Sequence, residues 1–149
     1  MAQDQTDAVV GALERLLADS YTLYLKTHSY HWNVKGPMFT TLHTLFETQY
    51  NELALAVDEI AERIRAVGAP APGSYTQFME RSVVKGDTGV PSATAMIENL
   101  VADQATVSEA AKAVIAAGEA AGDDVSVDLG VRRMDVHQKT AWMLSSHLE

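Results

Sequence analysis

The chain has no cysteine among its 149 residues, which removes disulfides and thiolate ligands and leaves His, Asp and Glu to build any tight metal site. Helix breakers are scarce as well, with 4 Pro and 9 Gly, so collagen-like and loop-dominated classes do not fit. Positive charge is in deficit: 11 Lys and Arg against 20 Asp and Glu give a formal charge of −9. A general nucleic-acid binder needs clustered cations to displace counterions from phosphates, and this balance instead favours cationic ligands. No apolar run approaches the ~20 residues of a membrane helix, and residues 1–12 lack the basic start and hydrophobic block of a signal peptide. A cytoplasmic protein without membrane contact is the expectation. The length suits one domain over residues 1–149, with a short N-terminal tail of about residues 1–5.

What is present is helical periodicity. Val10, Leu13, Leu17, Tyr21, Tyr24, His28 and His31 recur at near 3-4 spacing, predicting a first amphipathic helix over 6–33 with Thr6 as its N-cap. Lys35-Gly36-Pro37 breaks it. A second helix from Phe39 to Val67 buries Leu42, Phe46, Leu53, Ile60, Ile64 and Val67 and stops at Gly68. A short helix within 74–82 lies in a long crossover rich in Pro and Gly. Ser92 caps a third long helix to about Ala117, and a fourth opens near Asp123 and Asp124 and continues through Leu129, Met134, His137 and Trp142 to Leu148. Four long helices with one long central crossover predict an all-α, ferritin-like four-helix bundle with a short helix in the crossover.

The second helix carries an unusual polar stripe. His43, Glu47, Asp58 and Glu62 fall at about 0°, 40°, 60° and 100° around its axis, so they share a face. His43 and Glu47, like Asp58 and Glu62, are one turn apart and converge. The two pairs, however, are separated by about 22 Å of helix, ten times a metal–ligand bond. One helix therefore holds two half-sites. The numbering resolves this: 43 with 62, and 47 with 58, both average about 52.5, so two antiparallel copies related by a two-fold axis near Glu52 complete two sites at once. His31, just before the turn into the second helix, adds an imidazole beside His43. The resulting N/O sites suit Fe(II), with Zn(II) or Mn(II) as substitutes. A solvated acidic face with ordinary polar histidines is the alternative reading of the same residues. No Glu in the chain is followed by His three positions later, the pattern that a di-iron centre inside one bundle requires.

The run Tyr24-Leu25-Lys26-Thr27-His28-Ser29-Tyr30-His31-Trp32-Asn33-Val34-Lys35-Gly36-Pro37-Met38-Phe39, with Leu42-His43 and Val57-Asp58-Glu59-Ile60-Ala61-Glu62-Arg63, resembles the Dps family of mini-ferritins over essentially the whole chain. That resemblance implies a dodecameric homo-oligomer built from two-fold dimers, oxidising Fe(II) at intersubunit ferroxidase sites and storing ferric mineral inside, with hydrogen peroxide or dioxygen as oxidant. By position it assigns metal ligation to His31, His43, Asp58 and Glu62, with Glu47 where some members have Asp. It places Trp32 beside the iron site, as an interceptor of oxidising equivalents or as an interface aromatic. It places Asp123 and Asp128 in an acidic three-fold pore for iron entry, where helix-end charge and a solvated side chain are their plainer roles. Some members bind DNA through basic tails. Residues 1–14 here contain no Lys or Arg and residues 145–149 are not basic, so tail-mediated DNA binding is not expected. A structural bundle around an inert zinc is a third reading.

Overall fold

The computed structural model describes residues 1–149 as five α-helices and a closing 3-10 turn, with no strand. They are α1 (Gln3–Asn33), α2 (Phe39–Val67), α3 (Tyr75–Arg81), α4 (Ala93–Ala121) and α5 (Asp124–Ser145), followed by the turn Ser146–Leu148. None is long and apolar enough to cross a membrane.

Each helix end has a local cause. Gly36, at φ 104°, and Pro37 turn the chain between α1 and α2. Gly68 at φ 113° ends α2: its amide bonds Arg65 O and the Ala69 amide bonds Ile64 O, a Schellman closure. Gly122 ends α4 in the same way, and Asp123 at once caps α5.

Three ends differ from the sequence expectation. The first helix starts at Gln3 rather than at Thr6, leaving no tail of five residues. Gln5 Oε1 accepts from the Ala2 amide, while the Thr6 hydroxyl bonds back to Ala2 O inside the helix. The third long helix runs four residues beyond Ala117, because Gly118 is an interior contact glycine and not a stop. The last helix gives way to a 3-10 turn at Ser146.

Ion pairs and one hydrogen bond fix the helix directions. Lys26 with Asp103 and Asn99 with Tyr30 make α1 and α4 antiparallel, and Glu52 with Arg133 and Arg63 with Asp123 do the same for α2 and α5. Consequently α2 and α4 run parallel, and the crossover between them spans the length of the bundle. It is pinned to α1. Asp19, fully buried, accepts from the amides of Val83 and Val84 and from the Ser82 hydroxyl, and Tyr30 donates to Asp87 at 2.6 Å.

α1 packs on both α2 and α4, so it needs more apolar surface than one stripe. Val9, Leu16, Leu23 and Tyr30 form a second buried row beside Leu13 and Leu17, while Tyr21, Tyr24 and His28 sit half-buried at the edge. α4 and α5 pack closest of all. A Cβ at Gly130 would lie 2.7 Å from Ile115 Cγ1 and 3.0 Å from Ala111 O. Trp142 is on the surface at 65% exposure rather than in the core.

α2 and α5 touch only sparsely, and a polar seam joins them beside a cavity of about 270 Å3. Arg133 binds both oxygens of Glu52 and donates to His137 Nε2 at 3.1 Å, and His137 Nδ1 donates to Gln104 Oε1 at 2.7 Å. With both ring nitrogens committed in that order, His137 is neutral. Burial first, and the Arg133 charge second, push its pKa down to about 3.

Candidate metal centre

His31 is in the last turn of α1 and His43 in the second turn of α2, so the tight turn between these helices brings them together. Their rings stack at 3.8 Å between centroids, 13° from parallel. The stacking is locked reciprocally: His31 Nδ1 donates to His43 O at 2.6 Å, and His43 Nδ1 donates to His31 O at 2.8 Å. Each carbonyl fixes its imidazole as the Nδ1–H tautomer and leaves the Nε2 lone pair free, the arrangement that prepares a histidine to bind a metal. His31 is buried, His43 half-buried beneath Phe39, which stacks on it at 5.0 Å.

Glu47 joins this end, its Oε1 standing 4.0 Å from His31 Nε2. Asp58 and Glu62 form the other pair further along α2. They lie close enough that a hydrogen bond to Asp58, followed by the charge of Asp58, raises the Glu62 pKa. Each carboxylate disfavours the charged form of the other. Both residues are exposed, and α2 is unbroken between the histidine pair and the acidic pair, so within one chain the two half-sites stay apart. No three His, Asp or Glu side chains of a single chain are grouped to hold a metal ion.

The other sequence candidates fall into different roles. Trp32 is 59% exposed and rests against His28, 4.0 Å between centroids. Asp123 does not present a free carboxylate to a pore. It is 7% exposed, Oδ1 accepts from the Ser126 amide and from Arg63 at 2.8 Å, and Oδ2 accepts from the Ser126 hydroxyl. Burial alone would raise its pKa, but these hydrogen bonds and the Arg63 charge hold it below the ordinary carboxylate range. Within one chain Asp123 is therefore the cap of α5 and the partner of Arg63. Asp128 is exposed but paired to Arg132 at 2.9 Å, and Arg132 also reaches Glu59 at 2.6 Å.

Tyr50 and His28 are neighbours of the site that sequence reasoning did not single out. Tyr50 meets His31 edge-on at 5.2 Å and stacks on His28 at 4.2 Å. A signal was there: Tyr50 is three residues after Glu47, and His28 three before His31, each on the facing side of its helix.

The Ferritin-like domain model matches residues 10–149. The DNA protection during starvation protein 2 of Bacillus anthracis is 34% identical, with 94% of this chain and 96% of that protein covered. The Dps of Staphylococcus aureus is 40% identical with a TM-score of 0.91, covering 95% of each chain. A Dps protein from Bacillus brevis superposes with a TM-score of 0.96 at 32% identity over the full length of both.

Proposed function

The chain belongs to the Dps family of ferritin-like proteins, and from that premise we propose that it oxidises Fe(II) at sites shared between two copies and stores the ferric product inside a dodecameric shell. The observation that carries this reading is the reciprocal Nδ1 lock of His31 and His43, which aims two free Nε2 lone pairs out of a chain that has no third ligand grouped with them. The missing carboxylates are available as Asp58 and Glu62 of a second copy, because Glu62 and Asp58 lie as far from the middle of α2 on one side as His43 and Glu47 do on the other. At that level the outward positions are Asn51 and Ala54, small enough for two helices to approach, whereas Glu52 turns inward to Arg133.

The two imidazoles hold Fe(II), and the carboxylates favour the Fe(III) that forms. With hydrogen peroxide as oxidant, two Fe(II) give one electron each, and peroxide with two protons becomes two waters. Removing Fe(II) and peroxide together makes the protein protective as well as a store. Zn(II) or Mn(II) fits the same N/O donors, and Zn(II), which has no redox chemistry, acts there as a blocking substitute.

Relatives named for DNA protection raise a second reading, a nucleoid-covering protein. Residues 1–14 give it no cationic grip, since they contain no Lys or Arg. The deciding experiment loads the assembled protein with Fe(II) without oxygen, adds peroxide, and follows near-ultraviolet ferric absorbance and the iron that stays with the shell. Fast oxidation with iron retained supports storage. Oxidation no faster than in buffer, with ferric precipitate outside the shell, refutes it.

A further inference from the structure

We propose that Arg133 is a tethered cation standing in a divalent-metal site inside the bundle, formed by Glu52, His137 and Gln49, and that its guanidinium keeps that site free of metal.

The imidazole gives the first indication. His137 Nδ1 donates to Gln104 Oε1 at 2.7 Å, so the ring is held as the tautomer whose lone pair is on Nε2. That is the preparation seen at His31 and His43, with one difference. In the stacked pair the Nε2 lone pairs are free, whereas that of His137 accepts from Arg133 Nη2 at 3.1 Å. The same Nη2 donates to Glu52 Oε1 at 3.0 Å, and Nη1 donates to Glu52 Oε2 at 2.5 Å. One cationic nitrogen therefore lies between an imidazole nitrogen and a carboxylate oxygen, two donor types that hold divalent first-row metals.

A third donor lines the same space. Gln49, three residues before Glu52 on α2, is buried, and its Oε1 has no hydrogen-bond partner. Gln49, Glu52, Gln104 and His137 all line the cavity of about 270 Å3 between α2 and α5, which gives an ion a way in. Metal bonds of ~2.1 Å require the Glu52 and His137 donors each to close by about 1 Å on an ion at the Nη2 position. Glu52 has that freedom, since its side chain is 41% exposed.

Arg133 serves poorly as a brace alone. It is 4% exposed and its Nε has no partner, so the fold buries a charged group with one donor unsatisfied. A buried ion pair is often no more stabilising than well-packed apolar residues of similar volume. What a guanidinium does supply is a positive charge that never deprotonates, on a covalent tether that a metal must push aside. Fe(II) that enters this cavity finds its ligands already taken, and iron chemistry is kept out of the four-helix core.

The test is made in a His31→Ala, His43→Ala background, so that the shared centre proposed above contributes no imidazole. Anaerobic Co(II) titration, read by visible bands and by native mass of the assembled protein, compares that parent with the same chain carrying Arg133→Ala. The variant should bind about one further Co(II) per chain, about tenfold tighter than the strongest binding of the parent. Adding His137→Gln or Glu52→Gln should remove the new site, and about 20 mM guanidinium, far below denaturing concentration, should displace its Co(II). A folded Arg133→Ala protein that binds no more Co(II) than its parent overturns the proposal. So does added Co(II) that survives His137→Gln and Glu52→Gln, or that ignores guanidinium. If Arg133→Ala does not fold alone, refolding with Co(II) should restore assembly, because a bound metal replaces the lost charge; failure to do so also overturns it. The background lacks both histidines of the shared centre, so these outcomes stand whether or not that centre exists.

Discussion

Splitting the ligands between two chains has a quantitative signature. Consider one variant with His31→Ala and His43→Ala and another with Asp58→Ala and Glu62→Ala. Each homodimer loses half the ligands of both its sites and should oxidise Fe(II) little faster than buffer. In a mixed dimer the losses are unequal. One site receives the mutated histidines and the mutated carboxylates together, and the other receives His31 and His43 from one chain and Asp58 and Glu62 from its partner, all native. Random reassembly of equal amounts makes about half of the dimers mixed, each with one good site of two, so about a quarter of wild-type activity should return. The assay is the initial rate of ferric absorbance growth after peroxide addition, on samples dissociated, mixed and reassembled, with native mass confirming that chains exchanged. If exchange is complete and the rate stays at that of the separate variants, the half-sites of α2 do not meet across a two-fold axis and the intersubunit centre is wrong.

Further outcomes follow from the packing and charge. Gly130→Ala should destabilise by about 1–3 kcal/mol, read by denaturant unfolding, since its Cβ meets the α4 backbone at Ala111 O as well as Ile115; an unchanged midpoint would mean that α4 and α5 separate freely. His137 should make the protein acid-labile: its folded pKa lies below the unfolded value, so the unfolded chain takes up a proton that the fold refuses, and stability falls from about pH 6.5 towards pH 3 at up to about 1.4 kcal/mol per pH unit. A His137→Gln variant with the same acid slope would contradict this. Asp123→Ala should lower stability by about 1–2 kcal/mol through loss of its cap, measured by unfolding, whereas Asp128→Asn should slow iron uptake at low ionic strength with the shell intact; equal uptake kinetics would remove Asp128 from any entry route. A DNA fragment in ~0.1 M salt without divalent ions should run unshifted with the assembled protein, and a salt-sensitive shift would expose a basic surface formed only on assembly.

The bounds of α2 were legible because its punctuation is unambiguous: Gly36-Pro37 before it and Gly68 after it leave the backbone no alternative. α1 and α4 were legible as helices but not at their ends. Thr6 reads as a cap until its hydroxyl is seen bonding back to Ala2 O, and Gly118 reads as a terminator until Val127 is found pressed against it. For the histidines, spacing alone indicated that His31 and His43 meet. Their tautomers were not legible, because the acceptors are backbone carbonyls, which carry no sequence identity. Tertiary pairing hid the most. Arg133 and His137 look like an ordinary surface pair one turn apart, and the partners that bury them, Glu52 and Gln104, lie on other helices. The ion pair of Asp123 was hidden in the same way, since Arg63 lies on α2, sixty residues earlier in the chain.

The seam between α2 and α5 sets how the molecule breathes. α1 is the spine, gripping α2, α4 and the crossover, and α5 hangs on α4 through interlocked glycines. Only the α2–α5 edge lacks a continuous apolar contact, so the lowest-energy excursion parts the two helical hairpins there, like a book opened from its fore-edge, with α1 and α4 as the binding. His31 and His43 lie on the spine side. Their reciprocal lock rides unchanged on one cover while the other swings, so solvent can reach His137 and Gln104 without loosening the imidazoles. Amide exchange should therefore be fastest along the facing sides of α2 and α5 and slow at the turn between α1 and α2. The α2–α5 edge is where this bundle opens first, and the histidine pair sits outside that motion.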